Sequence, residues 1–228
     1  MATLLHLDSS ANRSGESVTR ELTALFAHDW LARHDSAGYR YRDLAAEPVP
    51  PLDTAFCQLG RRAERHGLVA LDAVTALAQN PAEERAWALA LPLIREVRTA
   101  SIVLIGAPMY NLSVSALLKA WIDRVTFPGA FIDQDTGRSV LSATQVVLVL
   151  ARGGAYGPGM PGEALDFQAP YLRAYFRKQG VPEQRVHVVS AELTVAGFAP
   201  GMASLQPEGE RSLKQAYAAL ADLAATLG

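Results

Sequence analysis

The sequence predicts an α/β protein in which helices cover both faces of an open, doubly wound parallel sheet. Several short runs are almost continuously apolar, and helical patterns with one apolar stripe lie between them. Continuous apolar runs are typical of parallel strands buried on both faces, and strands that alternate with helices form crossover connections. Of the 228 residues, 50% are hydrophobic and 19% are charged, which favours a folded domain over a disordered chain.

Five strands are predicted. Four runs rich in Val, Ile and Leu are expected to be buried strands: Leu4–Asp8, Ser101–Ala107, Gln145–Leu150 and Arg185–Ser190. A fifth run, Tyr39–Asp43, alternates aromatic and charged residues, as a half-exposed edge strand does. We expect the strand order 2-1-3-4-5, which is known as flavodoxin-like.

Amphipathic patterns predict the helices between the strands: Glu16–His34, Val114–Val125, Phe167–Gln179 and Glu208–Leu227. Either Ser14 or Ser17 is available to cap the first of these helices, and Ser113 is available to cap the second. Asp123 and Arg124 are adjacent on a helix and face different directions, so we expect surface or interface charges there rather than a catalytic pair.

Residues 46–100 are predicted to form a long insert. It begins with a bend that contains Pro48, Pro50 and Pro51 and then becomes mostly helical, with Pro92 expected to kink or divide its last helix. Because there is no internal repeat, low-complexity tract or linker, residues 1–228 are predicted to form a single domain.

Composition excludes several classes of protein. A formal net charge of −2 argues against a nucleic-acid partner, which requires a dense basic face. No apolar run approaches the roughly 20 residues that span a bilayer, and the first ten residues have no basic segment of the signal-peptide type, so a cytoplasmic location is expected. The single cysteine, Cys57, excludes an intramolecular disulfide, and the five histidines lack metal-ligand spacing, so no metal is predicted.

The predicted loop Ser9–Thr19 is rich in hydroxyls and leads into a helix N-terminus. Free backbone N–H groups and the positive end of the helix dipole make such a place suitable for an anion. The loop has neither of the glycine-rich fingerprints of dinucleotide or nucleoside-triphosphate sites. An ordinary turn with a helix cap is the alternative interpretation of this segment.

Two further loops follow the next central strands. In Ala107–Ser113, the Asn111 amide is suited to the polar edge of a planar heterocycle, although simple packing is the alternative for the apolar residues around it. In Ala151–Gly157, the adjacent Gly153 and Gly154 allow the backbone to approach a ligand closely, or to form a plain turn. Since the carboxyl ends of parallel strands share one edge of the sheet, the three loops together describe a flavin mononucleotide (FMN) site.

The same residues carry a family resemblance over most of the chain. The segment Ala107–Ser113, continued by Leu118–Val125, resembles the signature of the FMN-dependent NADH:quinone oxidoreductase/azoreductase family, and Asp43–Pro48 and Gly197–Ala199 add further matches. Three positions depart from that pattern. Leu112 stands where Phe is usual, and Ala151 and Thr19 each stand where Ser is common.

The resemblance implies a set of residues that bind FMN without a covalent bond. Around the phosphate these are Ser10, Ser17, Val18 and Thr19. Along the ring and ribityl chain they are Met109, Tyr110, Asn111 and Leu112, with Ala151, Arg152, Gly153 and Gly154 at the pyrimidine end. The resemblance also implies a homodimer with a substrate pocket beside the flavin, for which we expect an aromatic lining of Phe127, Phe131 and Tyr156.

The resemblance further implies the reaction. NADH or NADPH reduces the flavin, and a quinone or an azo compound then occupies the same pocket and accepts two electrons, which predicts ping-pong kinetics. A non-enzymatic, flavodoxin-like electron carrier is the alternative, although such carriers tend to be shorter and more acidic. A hydrolase acting on acyl carrier protein is disfavoured, because no nucleophile–base pair or metal site is visible in the sequence.

Overall fold

A computed structural model describes residues 2–227. Its centre is a five-stranded sheet in which every neighbouring pair of strands is parallel. The strands are β1 (Leu4–Asp8), β2 (Tyr39–Asp43), β3 (Ile102–Pro108), β4 (Gln145–Ala151) and β5 (Val186–Ala191). They follow the order β2-β1-β3-β4-β5, which confirms the predicted flavodoxin-like topology.

Six α-helices surround the sheet. They are α1 (Val18–Leu31), α2 (Thr54–His66), α3 (Pro81–Thr99), α4 (Ala116–Val125), α5 (Ala169–Lys178) and α6 (Gln206–Thr226). On one face, Phe26 and Trp30 of α1 pack with Leu220 of α6. A larger apolar core on the other face contains residues of α2, α3, α4 and α5. The two cores bury both faces of β1, β3 and β4, which is why their sequences are apolar throughout.

Two helix predictions need correction. Helix α4 begins at Ala116 rather than Val114, and its cap is Ser115, whose Oγ accepts a 3.2 Å hydrogen bond from Leu118 N. Ser113 cannot cap it because its backbone pairs with Tyr110. Helix α3 continues through Pro92, so it is not divided there, and the alternative of a kink stays a prediction. Pro92 and Ala88, the residue whose carbonyl loses its intrahelical partner, are both exposed.

The insert packs against α4 and the segment that follows it through aromatic and charged contacts. The ring of Phe127 lies 5.5 Å from that of Phe56 on α2 and 4.7 Å from that of Trp87 on α3. The expectation of a surface position for Arg124 is wrong, because its side chain is 1% exposed. It donates to the carbonyl oxygens of Pro50 and Pro51 at 3.2 and 2.7 Å, and these hold the proline-rich bend against α4.

Within residues 2–227, no helix combines the length and apolar character needed to cross a membrane.

Candidate functional site

The loops that follow β1, β3 and β4 meet at the carboxyl edge of the sheet. The backbone N–H of Ala11, in the loop after β1, donates to the Tyr110 hydroxyl, in the loop after β3, at 3.1 Å. The N–H of Met109 donates to the Ala151 carbonyl at the end of β4, at 2.9 Å. Direct hydrogen bonds therefore join the loops that the sequence analysis assigned to one ligand.

The loop after β1 ends at the N-terminus of α1. Ser17 is the N-cap and accepts a hydrogen bond from Arg20 N, so the second of the two predicted caps is confirmed. Within residues 2–227, the N–H groups of Ser17, Val18 and Thr19 donate no hydrogen bond. Three backbone donors at the positive end of a helix dipole fit the phosphate group of FMN.

The predicted hydroxyls of this loop are turned largely inward. Ser10 is buried, and its Oγ accepts a 3.2 Å hydrogen bond from Asn12 N. Thr19 is fully buried, and its Oγ1 lies 3.1 Å from Ser17 Oγ. The unpaired donors of the loop are therefore backbone N–H groups more than side-chain hydroxyls.

Beneath the loop lies a buried polar network centred on Asp8, the last residue of β1. One carboxylate oxygen accepts from Thr23 Oγ1 at 2.9 Å, and the other accepts from the Tyr41 hydroxyl at 3.0 Å. Burial and the nearby Asp8 charge raise the pKa of Tyr39 to about 12, and burial, reinforced by Asp8, also raises the pKa of Tyr41 above its ordinary value. Both phenols stay protonated at neutral pH, and that of Tyr41 donates to Asp8.

Arg20 connects this network to the loop. Its guanidinium forms a two-point contact with Asp43 at 2.7 and 2.8 Å. The hydrogen bond with Asp43 is the main reason that the pKa of Arg20 lies above its ordinary value, and the same bond holds the pKa of Asp43 below its own. Both groups therefore keep their charges at neutral pH.

The loop after β3 is a tight, two-residue turn. The backbones of Tyr110 and Ser113 pair with each other, and Asn111 and Leu112 between them have φ values of 48° and 72°. A left-handed conformation is unusual for Leu and marks a constrained backbone. The turn leaves the Asn111 side chain exposed, as contact with a ligand requires.

The loop after β4 separates its backbone from its one charged side chain. The Arg152 guanidinium is 3% exposed and lies 3.0 Å from carboxylate oxygens of both Asp166 and Glu192. In contrast, the N–H groups of Gly153 and Gly154 donate no hydrogen bond within residues 2–227. The loop therefore offers backbone N–H groups to a ligand, while the buried Arg152 side chain holds the loop in place through Asp166 and Glu192.

The three aromatic residues expected in a substrate pocket differ in burial, because Tyr156 is half-buried and the other two are buried. Tyr156 lies beside Gly154, where an added Cβ would come within 3.1 Å of its ring. The structure places Phe127 and Phe131 in the hydrophobic core, where they are 4% and 3% exposed. Loop aromatics bury readily when an insert packs over them, and here α2 and α3 do so.

A cavity of about 630 Å³ lies beside the outer edge of β5, where the loop after β4 forms part of its lining. Of the predicted site residues, only Arg152 and Tyr156 line it. Residues of α5 and of the edge strand β5 line this cavity, whereas the hydrogen bonds between the three loops mark the candidate site.

Sequence reasoning missed the residues that hold the loops in place. These are Asp8, Arg20, Asp43, Asp166, Gln168 and Glu192. It also missed Phe167, which is 56% exposed and whose N–H donates to the Leu112 carbonyl at 3.2 Å. The one available signal was a polar residue at the end of each of two apolar runs: Asp8 is the last residue of β1, and Glu192 directly follows β5.

Known proteins resemble the chain along its whole length. A family model described as a flavodoxin-like fold matches residues 2–220. A protein of Nocardia farcinica named FMN-dependent NADH:quinone oxidoreductase is 40% identical over 228 residues, which cover 100% of this chain and 98% of that protein. A protein of the same name from Kineococcus radiotolerans is 37% identical and covers 100% of both chains.

Solved structures agree on the fold. An FMN-dependent NADH-azoreductase from Bacillus anthracis, in complex with FMN, superposes with a TM-score of 0.77 at 16% identity, covering 100% of this chain and 99% of that one. The azoreductase AzrA superposes with a TM-score of 0.78 at 18% identity, covering 99% and 100%.

With a family match over 2–220 and full-length relatives at 37–40% identity, this chain belongs to the flavodoxin-like family of FMN-dependent NADH:quinone oxidoreductases.

Proposed function

We propose that this protein binds FMN without a covalent bond and transfers two electrons from NADH or NADPH to quinones, azo compounds or both. The observation that carries the proposal is the junction of the three loops, with unpaired N–H groups at the start of α1 and at Gly153 and Gly154. The full-length similarity to proteins named for this reaction supports it.

The residues divide into two groups by their expected contacts. Ser10, Ser17, Val18 and Thr19 hold the phosphate, mainly through backbone N–H groups. Met109, Tyr110, Asn111 and Leu112 contact the ring and the ribityl chain, and Ala151, Arg152, Gly153 and Gly154 line the pyrimidine end through their backbone.

When bound, FMN supplies the redox chemistry: it accepts a hydride from the nicotinamide and passes two electrons to the acceptor. The protein's part is to bind, orient and stabilise charge. N–H groups at Gly153 and Gly154 would stabilise negative charge that develops beside them with little reorganisation, because Leu193 N donates to the Gly154 carbonyl and Thr194 N donates to the Arg152 carbonyl, which holds this loop in place. No side chain needs to act as a nucleophile.

One pocket used in turn by the nicotinamide and the acceptor gives ping-pong kinetics. We assign Tyr156 to this pocket, and we add Phe167 because it is exposed beside Leu112. Exposed apolar side chains such as Phe198, which is 77% exposed, support a homodimer that covers them. A cytoplasmic location, where reduced nicotinamide nucleotides are available, completes the proposal.

The test is reconstitution followed by rapid mixing. Purified protein is loaded with FMN, freed of excess flavin and mixed with NADH, and the 450 nm absorbance is followed. We expect bleaching by NADH alone and recovery of the colour when a quinone or an azo dye is added. A protein that binds FMN but is bleached only by a separate reductase is an electron carrier, and one that does not retain FMN disproves the flavin assignment.

A further inference from the structure

Arg20 lies in the first turn of α1, behind the loop that follows β1, and its side chain is 6% exposed. Its Nε donates to the Asn12 carbonyl at 2.8 Å, and its Nη2 donates to the Ser10 carbonyl at 2.8 Å. Two carbonyl oxygens of the proposed phosphate loop are therefore directed at a guanidinium in the protein interior.

The guanidinium is itself held in place. Nη1 and Nη2 donate to the two carboxylate oxygens of Asp43, at the end of β2, and Nη1 also donates to the Tyr41 hydroxyl at 3.2 Å. Asp43 is fixed in turn by a 2.9 Å hydrogen bond from Ala45 N. A two-point contact between a planar guanidinium and a carboxylate defines an orientation as well as a distance.

These contacts use all the donors that an arginine has. A guanidinium carries five N–H groups, and Arg20 makes five hydrogen bonds, to Asn12, Ser10, Tyr41 and both oxygens of Asp43. Asp43 balances its charge, and Asp8 lies 3.8 Å away. Arg20 thus has no free donor and no unbalanced charge to offer a phosphate directly.

We propose that Arg20, oriented by Asp43, is a positioning residue that shapes the phosphate-binding loop. By drawing the carbonyl oxygens of Ser10 and Asn12 inward, it removes negative partial charge from the anion side of the loop and fixes the N–H groups at the start of α1 toward that side. This inference rests on the proposed FMN site, and it predicts that the pair controls recognition of the phosphate and not of the flavin ring.

The test compares two ligands that differ only in the phosphate. Apoprotein of the wild type and of Arg20→Met, Arg20→Lys and Asp43→Asn is titrated with FMN and with riboflavin, and binding is followed by quenching of flavin fluorescence. We expect Arg20→Met to raise the Kd for FMN at least tenfold and the Kd for riboflavin less than twofold. Asp43→Asn and Arg20→Lys are expected to raise the Kd for FMN by a smaller factor, since each keeps some of the hydrogen bonds between residues 20 and 43 and the loop.

Arg62→Met is the matched control. Arg62 on α2 also donates to a backbone carbonyl, that of Leu77 at 2.8 Å, and to both carboxylate oxygens of Glu83, but it lies in the insert. Its loss should leave the ratio of the FMN and riboflavin affinities unchanged.

Equal losses for FMN and riboflavin in the Arg20 and Asp43 variants, or no loss for either ligand, would overturn the inference. If Arg20→Met does not fold, Asp43→Asn and Arg20→Lys decide the question by the same ratio. A wild-type apoprotein that binds neither flavin contradicts the proposed function itself, which is a different outcome from one in which the wild type binds FMN and the variants bind it equally well.

Discussion

The Tyr110 hydroxyl accepts a 3.1 Å hydrogen bond from the backbone N–H of Ala11, and so joins the loop after β3 to the loop after β1. We expect Tyr110→Phe to raise the Kd for FMN roughly two- to tenfold, since a net hydrogen bond contributes about 0.5–1.5 kcal/mol. Fluorescence titration measures this Kd. The control is Tyr175→Phe, which removes a hydroxyl that pairs with Thr126 at the C-terminal end of α4. Equal effects of the two substitutions on the Kd for FMN would refute a role of Tyr110 in joining the loops.

Gly106 on β3 leaves room for the Asp8 carboxylate. A Cβ at this position would lie 2.5 Å from Asp8 Oδ1 and 3.1 Å from Thr23 Cγ2. We expect Gly106→Ala to lower the free energy of unfolding by about 1–3 kcal/mol, as overpacking in a core does, in urea titrations. Gly201→Ala, where nothing lies within 4 Å, should change it by less than about 0.5 kcal/mol. If Gly106→Ala is as stable as the wild type, β3 can shift to accommodate the Cβ without an energetic cost, and the prediction is wrong.

Gly153 has little space for a side chain in the loop after β4. Its added Cβ would lie 3.3 Å from Val195 Cγ1, so a larger side chain must displace Val195 or the loop itself. We expect Gly153→Val to weaken FMN binding about tenfold, which is about 1.4 kcal/mol, or to shift the reduction potential of the bound flavin. Titration and a spectroscopic potential measurement check this. Unchanged values for both would remove Gly153 from the site.

Phe127 and Phe167 should behave in opposite ways. Phe127 is 4% exposed, and Phe127→Ala is expected to cost about 3–5 kcal/mol of unfolding free energy. Phe167 is 56% exposed, and Phe167→Ala is expected to leave stability within about 0.5 kcal/mol but to raise the KM for a quinone. Urea unfolding and steady-state kinetics measure both variants. A quinone KM that changes only with Phe127 would restore the original pocket assignment.

The Asp43 carboxylate should make stability depend on pH on the acid side. Its pKa in the folded protein lies below the ordinary value of 3.8, mainly because of the hydrogen bond from Arg20. A lowered folded pKa contributes stability that is fully present well above pH 4 and is lost as the pH falls below it toward the folded pKa. The stability difference between wild type and Asp43→Asn should therefore shrink as the pH is lowered from 5 to 3 in urea titrations. A constant difference would contradict the assignment.

Local sequence patterns were sufficient for the sheet, and they place the proposed site at its carboxyl edge. The bounds of β1 and β2 are as predicted, because continuous burial and alternation each leave a clear pattern over five residues. The three ligand loops follow from the rule that parallel strands end at one edge. Neither inference requires knowledge of contacts between distant residues.

Buried charges and loop aromatics could not be predicted in the same way. Arg20 and Arg124 both occupy helical positions that look polar, yet both are buried by partners elsewhere, such as Asp43 and Pro51. Whether Phe127 lies in a pocket or in the core depends on how the insert packs. Periodicity describes which face of one element is apolar, and it contains no information about which other element covers a charge.

Protein groups alone form the hydrogen bonds that join the three loops, so the fold itself holds the loops together. A binding site that is already assembled loses little conformational freedom when its ligand binds. FMN can therefore bind after the chain has folded, and folding does not require it.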